Sequence, residues 1–480
     1  MRVAAQIGAA VVGLLTAPVL VRQLGDDAFG RFSTVYALVM IVAALGDLGL
    51  STVGVADWVR KGPQERRTLW QELLGARIIV TVAMGIGALV VALALGHERE
   101  MLLAEAVGIV GITISAVASV LAVPLIAELR QSLVAVAEFA RAGSVAVLQA
   151  VFALVGAGLV PLLAATIPAG LLGVLIVWLS LGRPIVVPRF GRTGLARVAR
   201  ESIAFAAASA TSAVYLRSSM LLVPLVAGPA AVGEFGVAYR SMEFLTAVPL
   251  LLTGALFPVM VHSSSHDEER LRRGFETMWR SSMALCVGFT AFVLAIAPLA
   301  VLALRGSDSS VATDSLGFFG LAIGVMFLGM TSLWLLLARR AYRTVLVINV
   351  CALLANVAMT LLLGALFDAP AAAASVALCE IGIATASTAA AVRYLRRDDD
   401  ADDTARVYGL LALRGALAIG VLFAVSYLTR DSGAVLHAAV MLGTGLVLLL
   451  VLRLVPAALV DLVRRMLRRG RPRPTSAGSA

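Results

Sequence analysis

The chain has 480 residues, 60% of them hydrophobic and 14% charged, with a mean hydropathy of +0.96. A soluble domain of this size does not carry so much apolar surface, so lipid is the solvent for much of it. The net charge of +10 comes almost wholly from arginine, Lys61 being the single lysine. Those charges are scattered through short interhelical segments, which argues against a nucleic-acid surface and fits the positive-inside rule.

Backbone groups in lipid must be satisfied internally, which leaves helices or a closed barrel. Apolar runs of about 20 residues, without ten-residue alternation, select helices. Fourteen spans are expected, at 3–21, 32–58, 73–95, 101–126, 141–160, 162–181, 201–226, 233–261, 280–304, 315–338, 344–367, 370–392, 407–428 and 434–455. Residues 3–21 resemble a signal peptide in composition, but no small-residue cleavage site follows and the chain re-enters the membrane at once. The first polar break, PVLVRQLGDDAFGRF from Pro18 to Phe32, reads as an outer hairpin with Arg22 at its mouth. Its glycines are expected to serve a tight turn.

Arginines crowd every second interhelical segment, among them Arg60, Arg66 and Arg67, then Arg183 to Arg200, Arg339 to Arg343, and the tail from Arg464 to Arg473. The other loops hold few, such as Arg22, Arg31, Arg99, Arg305 and Arg430. This alternation is expected to place both termini of a multi-pass membrane protein in the cytosol. Residues 1–181 form a first six-helix bundle, 182–200 a cytoplasmic linker and 201–392 a second six-helix bundle. A charged loop at 393–406, helices 13 and 14 at 407–455 and a basic tail at 456–480 follow. The mixed-charge stretch 263–280 reads as an interfacial helix, and the tail as a contact for anionic headgroups. The run Asp398–Asp403 reads as a solvated charge run rather than a metal site. Cys286, Cys351 and Cys379 read as free thiols, and His97, His262, His266 and His437 lack metal-ligand spacing.

A repeat organises the chain. Gly25-x4-Gly30-x-Phe32 returns 203 residues later (228 against 25) as Gly228-x4-Gly233-x-Phe235. Six spans separate equivalent points, so both copies have the same orientation, and parallel repeats of this kind build transporters with a path between two bundles. Spans 13 and 14 stand outside the repeat.

RQLGDDAFGRF followed by Asp47-Leu48-Gly49-Leu50-Ser51 resembles the opening of bacterial polysaccharide-export flippases of the Wzx/PST type. These belong to the multidrug/oligosaccharidyl-lipid/polysaccharide exporter superfamily, whose fold is MATE-like. Leu221–Leu245, the Ala255-Leu256-Phe257-Pro258 ending of span 8, Asn349 and Asn356 in span 11 and Glu380 in span 12 extend the resemblance over nearly the whole chain. It implies a lipid-linked oligosaccharide carried from the inner to the outer leaflet of a bacterial inner membrane by alternating access. Two features depart from the pattern. Arg217 is followed by Ser218 and Ser219 where such proteins often carry an acid, and Met1 stands almost at the start of span 1.

No catalytic constellation and no phosphate-binding Walker loop is present, so the chain reads as neither an enzyme nor an ATP-driven pump, and no cofactor is implied. Function is then expected from charges held in the membrane. Arg217 lies about ten residues before the second outer turn, roughly 15 Å deep, and Arg240 about seven residues after it, roughly 10 Å deep. Their planar forks suit the pyrophosphate of a polyprenyl-linked glycan. The competing reading is structural, since Arg240 and Glu243 are i,i+3 on one helix face. Asp47 and Glu380 are the other membrane carboxylates. Either offers proton coupling, against capping or pairing for Asp47 and a contact with Asn356 for Glu380. Arg77 and Arg414 are expected to snorkel.

The leading function is thus a flippase for a lipid-linked (polyprenyl-diphosphate) oligosaccharide, with membrane lipid and that glycan as ligands and a glycan polymerase as a candidate partner. A lipid II or teichoic-acid precursor flippase is the near alternative. A cation-coupled multidrug exporter is a different class, disfavoured because span 1 has no acid and the chamber candidates are arginines. A membrane glycosyltransferase needs a large outer loop with catalytic acids, and the outer loops here are short.

Overall fold

The computed structural model describes residues 2–47, 50–183, 185–190, 207, 210–254, 268–339, 341–395 and 401–454. The regular structure among them is helical. The first bundle runs α1 (Arg2–Asp47), α2 (Leu50–Arg60), α3 (Pro63–Ala94), α4 (Arg99–Leu121), α5 (Val123–Ala127), α6 (Gln131–Leu154), α7 (Leu159–Ala164) and α8 (Thr166–Ser180). The second runs α9 (210–222), α10 (Pro229–Leu245), α11 (Ala247–Gly254), α12 (Glu268–Arg305), α13 (Ser310–Ala338) and α14 (Tyr342–Leu395). Two further helices, α15 (Ala401–Thr429) and α16 (Ala434–Val451), close the described chain.

Eleven of these helical segments are long and apolar enough to cross a membrane. Two of the eleven are hairpins, because α1 bends at Gly25 (φ 70°, ψ 172°) and α14 bends at Phe367 and Asp368. With both arms counted, and the partly described span ending at residue 222, the protein is an all-α polytopic membrane protein of about fourteen spans. It is built as two parallel-repeat six-helix bundles plus two helices.

Apolar composition makes these helices, and small residues set how closely they pack. In the second bundle Phe275, Phe319, Val293, Ala322 and Ile323 are fully buried. The two extra helices pack on α12, where Trp279 meets Tyr408 edge to face at 5.0 Å. His437 is buried at a helix start, with Nε2 3.1 Å from the Leu294 carbonyl.

Two expectations change. The polar break from Arg22 to Arg31 is not a loop: helix resumes at once, and the whole reversal is carried by Gly25, in a backbone region that L side chains rarely adopt. The described part of the 263–280 stretch, from Glu268, is no separate interfacial helix but the opening of the continuous α12. The Ala255–Pro258 ending, His262, His266, Asp398–Asp400 and the tail beyond residue 454 lie outside the described residues.

Candidate functional site

The two bundles touch where their repeats meet. Gly30 of α1 and Gly233 of α10 stand face to face, and a Cβ on Gly30 would lie 3.1 Å from the Gly233 nitrogen. A Cβ on Gly233 would collide with the Asp26 carbonyl. These glycines therefore serve a helix-to-helix approach, not a turn. The repeat also runs further than Phe32 and Phe235, because Tyr36 and Tyr239 keep the same spacing. Phe32 stacks on Tyr36 at 5.7 Å and Phe235 on Tyr239 at 6.3 Å, so the two copies share side-chain geometry as well as sequence.

Charges frame this contact. Arg31 and its repeat equivalent Glu234 make charge-reversed pairs, Arg31 with Glu98 at 3.4 Å and Glu234 with Arg305 at 2.9 Å. Arg305 also reaches across to Asp26 of the first bundle, at 2.6 and 3.1 Å. Arg22 donates to the carbonyls of Ala303 and Leu304, at 2.6 and 3.4 Å, and so caps the end of α12 from the opposite bundle. Beside this closure lies a cavity of about 500 Å³, lined from both bundles by residues that include Arg31, His97, Leu221 and Pro224.

Deeper in the same interface lies the arginine cluster. Arg240 donates to Glu243 at 2.8 Å, and its guanidinium carbon sits 4.8 Å from the ring centre of Tyr36 in the first bundle and 5.3 Å from that of Phe244. Phe244 in turn lies against Gly13 of α1, where a Cβ would approach its ring to 2.7 Å. Arg217, on α9, comes only to 4.0 Å from Glu243, outside hydrogen-bond range. Its Nε is buried and has no hydrogen-bond partner. An unmet buried donor costs on the order of 1–3 kcal/mol. The structure thus brings Arg217, Arg240 and Glu243 together, with three charges that sum to +1. Chemically, such a cluster has guanidinium donors left over for the oxygens of an anion.

The other membrane carboxylates have different surroundings. Asp47 accepts from Arg77 at 2.6 Å and from Ser51 at 2.6 Å. Arg77 is 6% exposed, so it does not snorkel; its short reach to Asp47 holds it inside the bundle. Glu380 is 4% exposed and lines a cavity of about 80 Å³ within the second bundle, shared with Ser212, Tyr215 and Asn349. Tyr215, not Asn356, lines that cavity beside it, and the Tyr215 hydroxyl donates to the Val376 carbonyl at 3.4 Å. Asn356 instead donates to Ser218 and Ser219, at 2.8 and 3.1 Å, tying α14 to α9. The serines that replace the expected acid are thus a packing contact between spans. Tyr36, which the sequence reading passed over, is the first bundle's contribution to the arginine cluster. Its repeat partner Tyr239 was the signal that marks it.

Solved structures share this fold. The lipid II flippase MurJ in an inward closed conformation superposes with a TM-score of 0.71 at 12% identity, over 98% of this chain and 99% of that one. An inward-facing multidrug-resistance MATE-family transporter of the MOP superfamily gives 0.65 at 15% identity, over 80% and 94%. A MOP-superfamily transporter from Pyrococcus furiosus, described by the reverse polarity of its binding pocket, gives 0.55 at 16%, over 82% and 95%. No curated protein matches the chain. Residues 19–313, more than half of the chain, match the model of a family described as polysaccharide biosynthesis protein, and the chain belongs to that family.

Proposed function

We propose that this protein is a flippase that moves a polyprenyl-diphosphate-linked oligosaccharide across the bacterial inner membrane by alternating access. The observation that carries the reading is Arg217, a partly buried guanidinium whose Nε is buried and unmet, 4.0 Å from the carboxylate it shares with Arg240. A pyrophosphate supplies the missing acceptors at the interface between the bundles, where a substrate path through a parallel repeat runs. A cationic drug would meet two arginines there, which disfavours the exporter reading. The pyrophosphate is shared with peptidoglycan and teichoic-acid precursors, and the family's description favours a polysaccharide repeat unit among these.

On this reading both termini are cytoplasmic, as the arginine distribution suggests, and the Gly30–Gly233 contact closes the outer side. Glu380 is the coupling carboxyl, because it is buried beside a small cavity whose lining, among the described residues, holds no arginine. Asp47 is structural, since Arg77 already neutralises it. A glycan polymerase on the receiving side is the partner implied.

The test is export in cells that carry Arg217→Gln or Arg240→Gln. Membrane-inserted but inactive variants, with a polyprenyl-diphosphate glycan held on the inner leaflet, are expected. Normal export from either variant overturns the assignment.

A further inference from the structure

We propose that Glu243 is a tethered counter-ion that competes with the substrate's phosphates for Arg240 and so sets how tightly the site holds and how readily it releases. This rests on the anion-binding reading above. In the structure Glu243 is one turn from Arg240 on the same helix, 2.8 Å from its guanidinium and 4.0 Å from that of Arg217. One carboxylate faces two arginines, and it satisfies one of them. A single phosphate can therefore take the vacant donors of Arg217 without disturbing anything, whereas a second phosphate has to win Arg240 from Glu243.

Two further contacts keep Arg240 in place while this exchange happens. The guanidinium rests over the Tyr36 ring of the opposite bundle and against Phe244. These ring contacts hold the guanidinium in place whether its carboxylate partner or a phosphate takes the remaining donors. Tyr239, the equivalent of Tyr36, is committed elsewhere, donating to the Leu216 carbonyl at 3.1 Å. The second repeat has Arg240 where the first has Ala37, one residue after each tyrosine. That asymmetry places the exchangeable cation on one bundle and its aromatic seat on the other. Glu243 then acts as a specificity-determining group: it discriminates diphosphate from monophosphate by charging the diphosphate for the second arginine, and it recaptures Arg240 when the substrate leaves.

The test uses the full chain, purified in detergent, with farnesyl diphosphate and farnesyl monophosphate as soluble probes. Glu243→Gln is expected to bind farnesyl diphosphate about tenfold more tightly than wild type, with slower release and a smaller gain for the monophosphate. A merely structural role would instead lower affinity along with the melting temperature. Glu243→Asp, whose shorter carboxylate withdraws from Arg240, is expected to give an intermediate gain and decides the matter if the Gln variant does not fold. Unchanged or weakened diphosphate binding in a folded Gln or Asp variant overturns the role of Glu243. The underlying reading fails separately: it is overturned if wild type binds neither probe or if Arg217→Gln binds as wild type does.

Discussion

Gly30 and Gly233, equivalent residues of the two repeats, stand backbone to backbone at the interface of the two bundles, with room for no side chain between them. The helices that carry them also carry Tyr36 and Arg240, roughly two turns deeper. Closure of this end and the seating of Arg240 on Tyr36 are therefore properties of one helix pair, to which α9 adds Arg217.

Gly233→Ala should prevent that closure, because its Cβ meets the fixed Asp26 carbonyl and not a flexible side chain. Overpacking of this kind costs about 1–3 kcal/mol. A Thr34→Cys reporter, buried in the closed arrangement, should react faster with a water-soluble maleimide on the Gly233→Ala background once the native cysteines are replaced. Unchanged reactivity would separate the glycine contact from closure.

Asp26 and Arg305 link the bundles across the same end. A double-mutant cycle with Asp26→Asn and Arg305→Gln should show a coupling of about 1 kcal/mol in thermal unfolding, modest because the pair is only partly buried. Additive effects would mean that Arg305 serves Glu234 alone.

The Asp47–Arg77 pair gives the opposite kind of prediction. Asp47→Asn leaves Arg77 buried without its anion and should cost roughly 3 kcal/mol. Removing both charges, as Asp47→Asn with Arg77→Met, should recover stability and export. If the double variant is stable yet inactive, Asp47 has a transport role that its ion pair hides.

Gly25 and Asp368 adopt nearly the same backbone, at φ 70°, ψ 172° and φ 63°, ψ −167°, at the bends of α1 and α14. Only glycine is at ease there, and a non-glycine residue carries a strain of about 1–3 kcal/mol. Asp368→Gly should raise the melting temperature, and Gly25→Ala should lower it. The same change from both substitutions would show that the bends are not equivalent.

These features differ in how far they can be read before any coordinates are known. Hydropathy alone places the spans, because a run long enough to cross lipid has few other uses. The hairpin at Gly25 was legible, but the role of Gly30 was not, because glycine marks a turn and a close helix contact alike and spacing alone does not separate the two. Arg217 and Arg240 were legible as costly charges, and so was the Arg240–Glu243 pair at i,i+3. Their meeting with Tyr36 was not, since it depends on which faces of the two bundles oppose each other. Arg77 looked like a snorkelling residue because its distance from the span end suits one; burial followed from a carboxylate on a neighbouring helix. Glu380 was recognisable as buried, but its cavity neighbour Tyr215 lies on a span distant in sequence, so a nearer asparagine drew the attention.

The most direct measurement reconstitutes the purified chain in liposomes with a polyprenyl-diphosphate-linked oligosaccharide in one leaflet and follows its arrival in the other. Wild-type protein is expected to move the lipid, and Arg217→Gln and Arg240→Gln, folded and inserted, are expected to leave it where it began. Equal movement by wild type and both variants, or none by wild type, would contradict the assignment of these arginines as the pyrophosphate site.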